Sequence, residues 1–234
     1  MKISCLVSAV FLFALVSARA EFEFPQSVPV VIMDQELSLT VPDFRPVGWS
    51  HDGKLAWIEV VHIEGRGGED VKYVIFDAVE DVIVWSLLDN SSWEEAEQES
   101  VVEVSWKRMR SEFSEHLVAH DIEHHEGMEI RPFPMSTSGE TYRSEVQIGE
   151  EAEPAFYDFV GWYSVTVSRD GHGNKRITFV EEVTALGVWV LGYIQSPFES
   201  RIAVVVAKEI AGWEGPPNRI DLVMYGCNLL VGFR

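Results

Sequence analysis

The chain has 234 residues, 47% of them hydrophobic and 24% charged, enough apolar content to close a sizeable core within one domain. Its 38 Asp and Glu residues against 18 Lys and Arg give a formal net charge of −20, which repels phosphate backbones and anionic head groups and so argues against nucleic acid and anionic membrane surfaces as partners. Cationic ligands and basic proteins are permitted by that sign, but the simpler explanation is a charged surface that keeps an exported chain in solution.

The first twenty residues carry the three parts of a secretory signal: Lys2, an apolar run from Ile3 to Val16, and Ala18-Arg19-Ala20 as a small-x-small cleavage site. Export to a secreted or periplasmic location is therefore expected, with cleavage after Ala20 and a mature region 21–234. The apolar run is shorter than the roughly 20 residues a spanning helix needs, and no later segment has the length and apolarity of one. Cys5 leaves with the signal, so Cys227 stands alone and no internal disulfide is expected. Flanked by Leu222 to Tyr225 and Leu229 to Val231, Cys227 reads as a buried, unreactive thiol.

Residues 22–46 mix Pro25, Pro29, Pro42 and Pro46 with short apolar runs, which suits a lead-in arm or edge strands because proline cannot donate to a central ladder. From Val47 the text becomes strand, turn, strand. Asp52-Gly53 is a turn dipeptide, and Leu55-Ala56-Trp57-Ile58 beyond it is rich in strand formers. A Gly-rich loop from Glu64 to Asp70 and a return strand from Val71 to Asp77 complete a meander, and Val82 to Trp85 adds another strand, so that a first β unit spans about 47–85.

At Asn90 the period changes. Ser91 with Glu94, and Ser92 with Glu95, form two overlapping capping boxes, and Val102, Trp106, Met109, Phe113 and Leu117 recur on one helical stripe. A long inserted helix from about 92 to about 126 is predicted, with Gly127 as its stop. Glu112, His116, His120 and His124, each four residues apart, would project from successive turns. Two histidines at that spacing can share a zinc ion, so these four residues are the candidate metal ligands. Leu117 stands where the His-Glu-x-x-His protease motif needs glutamate. Burial against a sheet, or a pH-sensitive packing contact, explains the same residues without metal.

Beyond Gly127 an irregular passage leads to additional hairpins over about 141–183. Thr141 to Ile148 alternates like a strand, Glu150 to Pro154 is a charged turn, and Asp170-Gly171 announces a hairpin between Phe156 to Val167 and Ile177 to Val183. Asp170, His172 and Asn174 imitate a calcium loop, but Lys175 stands where that loop requires glycine. A second β unit, about 187–232, follows. In it Ser196 answers Ser50, Arg201 answers Lys54, and Ile202-Ala203-Val204 answers Leu55-Ala56-Trp57, which reads as an internal duplication.

Ser50-His51-Asp52-Gly53-Lys54-Leu55-Ala56-Trp57 resembles the Ser-Pro-Asp-Gly-Lys-x-hydrophobic-Ala phrase of TolB-like and WD40-like propeller repeats. Ser196-Pro197 through Arg201-Ile202-Ala203-Val204, followed by Gly212-Trp-Glu-Gly-Pro216, is similar to the C-terminal part of a bacterial family of predicted secreted proteins of unknown function. The resemblance covers about a third of the chain; it implies export and a mostly β fold, and brings no catalytic residues. His51 replaces the usual proline, Phe198-Glu199-Ser200 replaces Asp-Gly, and two units fall short of the roughly four blades of a closed propeller.

No nucleophile elbow, phosphate-cradling loop or paired-cysteine motif occurs. The expected fold is mainly β (α+β), with antiparallel meanders, partial-propeller or sandwich-like, and one long inserted α-helix. The expected function is that of an exported, non-enzymatic binding or envelope-associated interaction protein without a cofactor; the alternative is a zinc-binding protein or metal-dependent enzyme built on the His-rich helix end.

Overall fold

A computed structural model describes residues 22–32, 39–63, 68–90, 100–150, 159–181, 183–212, 215 and 217–234. In chain order the elements are β1 (Leu39–Thr40), β2 (Asp43–Trp49), β3 (Lys54–His62), β4 (Glu69–Asp77), β5 (Val82–Asp89), α1 (Val101–Ala119), β6 (Glu123–His124), β7 (Met135–Thr137), β8 (Glu140–Glu150), β9 (Val160–Arg169), β10 (Gly173–Glu181), β11 (Gly187–Gln195), β12 (Arg201–Ile210) and β13 (Asn218–Asn228). They form three sheets. Sheet A has the order β5-β4-β3-β2-β6, sheet B the order β1-β13-β12-β11, and sheet C the order β10-β9-β8-β7. All pairings within them are antiparallel except the two-residue match of β1 with β13. The mainly β expectation is therefore met, and the described residues contain one helix, of 19 residues, shorter than the expected span of about 92–126.

Three apolar layers hold the sheets together. On one face of sheet A, Ala56, Ile58, Val71, Tyr73 and Ile75 pack against α1 through Val102, Trp106, Phe113 and Leu117. The opposite face presents Trp49, Leu55, Trp57, Val74 and Phe76 to Ile194, Ala203, Val205 and Met224 of sheet B. Sheet B in turn presents Ile202, Val204, Val206 and Cys227 to Tyr163, Val165 and Val167 of sheet C. Strands β3 and β12 are consequently buried on both faces, which is why Leu55 to Val61 and Ile202 to Ala207 read as near-continuous apolar runs instead of alternating. Cys227 is a free, fully buried thiol whose pKa burial pushes up to about 11.

The helix departs from its expected bounds of about 92 to about 126 at both ends: Ser100 is an extended N-cap, which starts the helix at Val101. Its described N-terminus is a capping box, with the Ser100 hydroxyl accepting from the Glu103 amide and the Glu103 carboxylate accepting from the Ser100 amide. The boxes expected at Ser91 and Ser92 lie outside the described residues. At the other end the helix stops at Ala119, capped by His120, where the sequence pattern predicts about 126. Asp121 takes a positive φ of 53°, which lets Ile122 turn into the core and Glu123–His124 pair with β2. Backbone pairing along the edge of sheet A outweighs another turn of helix. The predicted stripe does face the sheet, and Tyr73, Ser105, Asp89 and Arg108 stitch it there: the Tyr73 and Ser105 hydroxyls are 2.8 Å apart, and Ser105 and Arg108 both donate to Asp89 at 2.5 Å. No helix among the described residues is long and apolar enough to cross a membrane.

The two units predicted to be related meet in space. Each turn hydrogen-bonds in the same way, Ser50 N–H to the Lys54 carbonyl at 2.8 Å and Ser196 N–H to the Arg201 carbonyl at 3.0 Å. Each also pairs an acid with the base two residues on, Asp52 with Lys54 and Glu199 with Arg201. The Lys54 ammonium and then the Ser50 hydroxyl hold the Asp52 carboxyl below its ordinary pKa. Arg201 reaches across to donate to the Ala78 carbonyl at 2.9 Å, and Asp81 accepts from the Gly226 amide at 2.5 Å. Gly226 leaves the room: a Cβ there would stand 1.8 Å from the Ala78 carbonyl oxygen.

Candidate functional site

Where these turns converge, the segment after α1 crosses the end of the two sheets and brings three histidines together. It can do so because β2 offers Gly48 at the crossing, where a Cβ would lie 1.9 Å from the Glu123 carbonyl oxygen. The Val47 carbonyl accepts from the His125 amide at 3.4 Å and lies 3.0 Å from His124 Nδ1, which donates to it because a carbonyl oxygen can only accept. His51, at the tip of the β2–β3 turn, lies over the Phe198 ring with centroids 3.7 Å apart, and its Nε2 is 3.2 Å from a Glu123 carboxylate oxygen. His125 meets the same Phe198 ring edge-on at 5.0 Å. Phe198 belongs to the β11–β12 turn, so one aromatic ring joins both repeated turns and the crossing segment.

Burial lowers the pKa of His125; Glu123 opposes this, and the neighbouring His124 and His51 add to it. Its Nε2 is buried without a hydrogen-bond partner among the described residues. The ring thus favours its neutral form and turns an unpaired acceptor or donor toward the interior.

Two open clefts flank the ridge formed by residues 125–129. The larger, about 420 Å³, lies between that ridge and the N-terminal arm, and Glu23, Phe24, His124, His125, Glu126 and Glu129 define its character. Among its described lining residues there is no lysine or arginine. The smaller, about 320 Å³, lies on the other side of the ridge against Ile194, Gln195 and Pro197 and includes Arg131. The Glu23 and Glu126 carboxylates give the larger cleft negative potential, the complement of an ammonium or guanidinium group, while Glu129 is paired with Arg131 at 2.9 Å.

The four residues singled out as metal ligands are divided by the fold. Glu112, His116 and His120 belong to the helix and its cap, whereas His124 lies beyond the turn in β6. The His116 ring stacks on Trp85 at 4.3 Å, and Glu112 is exposed. Among the described residues no group of three or more His, Cys, Asp and Glu side chains is placed to hold a metal ion. His51, Glu123, His125 and Phe198 were not singled out by spacing. Two of them, His51 and Phe198, lie in the β2–β3 and β11–β12 turns, which sequence comparison sets against each other, and that was the available signal. No family model matches the chain, and no curated protein or solved structure matches it either.

Proposed function

We propose that this is an exported, non-enzymatic binding protein, envelope-associated or secreted, that takes a cationic ligand or a basic segment of a partner protein in the cleft under its N-terminal arm. The observation that carries this reading is the lining of the 420 Å³ cleft, where Glu23 and Glu126 stand with His124 and His125 and no lysine or arginine is among the described lining residues, while Glu129 is paired with Arg131 at 2.9 Å beyond the ridge. The secretory pattern of residues 1–20 supports export. Three sheets stacked face to face support the partial-propeller form of the fold, in which the two related units act as adjoining blades and present their turns at one end, where propellers commonly bind.

Calorimetric titration with hexalysine tests the ligand class. Saturable binding that weakens by about tenfold or more in a Glu126→Gln, Glu129→Gln double variant supports the cleft, since each charge-assisted contact contributes on the order of 1.5–3 kcal/mol. Equal binding by hexaglutamate, or no difference between the variant and the unmodified protein, overturns it.

A further inference from the structure

Sheet A ends in β5, which pairs with β4 on one side; among the described residues nothing pairs with its other side. From Val82 to Leu88 the strand contains no charged residue and no proline, two of the devices that keep an exposed edge from recruiting another strand. A single bulge at Val84 is its only irregularity, where Ile75 faces Trp85 and Phe76 faces Ile83. Val82, Ile83, Val84 and Leu88 are between 37% and 55% exposed, and Val79 in the preceding turn is 48% exposed. No other stretch of the described chain gathers as many exposed aliphatic side chains.

This edge is held rigidly. Trp85 and Leu87 pack under α1, with the Trp85 ring stacked 5.7 Å from Phe113 and 4.3 Å from His116. An incoming strand would therefore meet a template already in extended form, which reduces the ordering cost of association.

Charge selects the occupant. Asp77, Glu80 and Asp81 stand at the N-terminal end of β5, Asp89 closes its C-terminal end in contact with Arg108, and no lysine or arginine occurs from Asp77 to Asp89. Asp89 is 6% exposed and already paired with Ser105 and Arg108, so the free acidic charge lies at the N-terminal end, and a second copy of the chain would bring together two bodies of formal charge −20. We infer that β5 receives, by strand addition, an extended segment of a basic partner polypeptide, apolar at its centre and carrying lysine or arginine at the end that meets Asp77, Glu80 and Asp81. This docking edge is separate from the histidine cleft, which lies at the opposite edge of sheet A beyond β2 and β6.

The probe is a fluorescein-tagged nine-residue peptide of alternating valine and threonine with two lysines at each end, titrated by anisotropy against the full chain. The expected result is saturable binding that weakens by about tenfold or more in Ile83→Lys, Leu88→Lys, weakens with added salt, and survives in Glu126→Gln, Glu129→Gln. Both lysine substitutions fall on exposed positions, so the variant retains its fold, which circular dichroism checks. Val84→Pro supplies an independent disruption of the edge backbone. Binding unchanged by all β5 variants, equal binding of a glutamate-ended peptide, or loss only in the cleft variant overturns the inference. So does a light-scattering mass of a dimer that Ile83→Lys, Leu88→Lys converts to monomer, because the occupant would then be a second copy.

Discussion

The imidazole of His51 rests on the phenyl ring of Phe198, 3.7 Å between centroids, and these two residues occupy the β2–β3 and β11–β12 turns. Together they form the contact that His125 completes from the crossing segment. Truncating Phe198 to alanine removes both ring contacts. A loss of about 1–3 kcal/mol in unfolding free energy is expected from urea titration, given the value of aromatic pairs beyond their buried area and the partial exposure of this ring.

The same cluster responds to pH in a defined direction. Burial depresses the His125 pKa, so as pH falls the unfolded chain takes up this proton before the folded one does. The contribution of His125 to stability is complete above about pH 6.5, the unfolded value, and declines as pH falls through the lower folded value. His125→Asn is expected to flatten the acid side of the melting-temperature profile relative to the unmodified protein. Parallel profiles for the two proteins would remove His125 from this role.

Glu59 predicts the opposite dependence. It is 4% exposed on β3 in the layer between sheets A and B, and burial raises its pKa from 4.5 to about 7, with Asp221 adding to the rise and Lys72, Trp57 and the Leu222 amide opposing it. As pH rises the unfolded chain loses this proton first, so stability declines between about 4.5 and about 7, by about 3 kcal/mol in total. Glu59→Gln is expected to be stabilising at pH 8 by up to that amount and neutral at pH 4. Chemical denaturation at the two pH values measures the difference, and destabilisation at both would show that the carboxyl is needed as such.

Two glycines hold the crossings open. Alanine at Gly226 would meet the Ala78 carbonyl oxygen at 1.8 Å, and alanine at Gly48 would meet that of Glu123 at 1.9 Å, backbone in both cases. Neither has a positive φ, so the cost is steric, and a loss of about 3 kcal/mol or more is expected for each. Gly139, with φ of 79° and nothing near its Cβ position, serves as the contrast: alanine there should cost only the backbone strain, about 1–2 kcal/mol.

Metal at the helix end has its own test. Dialysis against a chelator is expected to leave the melting temperature unchanged, because His124 stands apart from Glu112, His116 and His120 in the fold. His116→Ala should still destabilise by about 1 kcal/mol, through the lost stacking on Trp85. Stoichiometric zinc in protein purified without chelator, lost in His116→Ala, His120→Ala, would restore the metal reading.

Local chemistry determined much of this protein from the order of its residues. The Asp52-Gly53 and Asp170-Gly171 turns, the stripe from Val102 to Leu117, the apolar runs of β3 and β12, and the match between the two Ser-initiated turns are all short-range patterns. Each depends on backbone preference or periodic burial, which neighbouring residues set among themselves. Where the helix would end, and which histidines would share a site, lay beyond such reasoning. His116, His120 and His124 carry a perfect helical spacing, yet Ile122 gains more from the core and Glu123–His124 from pairing with β2 than either gains from continued helix. His51 and Phe198 are separated by 147 positions and meet only because sheets A and B pack face to face. Periodicity records which side of an element is buried; it carries no record of what lies across the interface, and that was decided by the packing of the sheets.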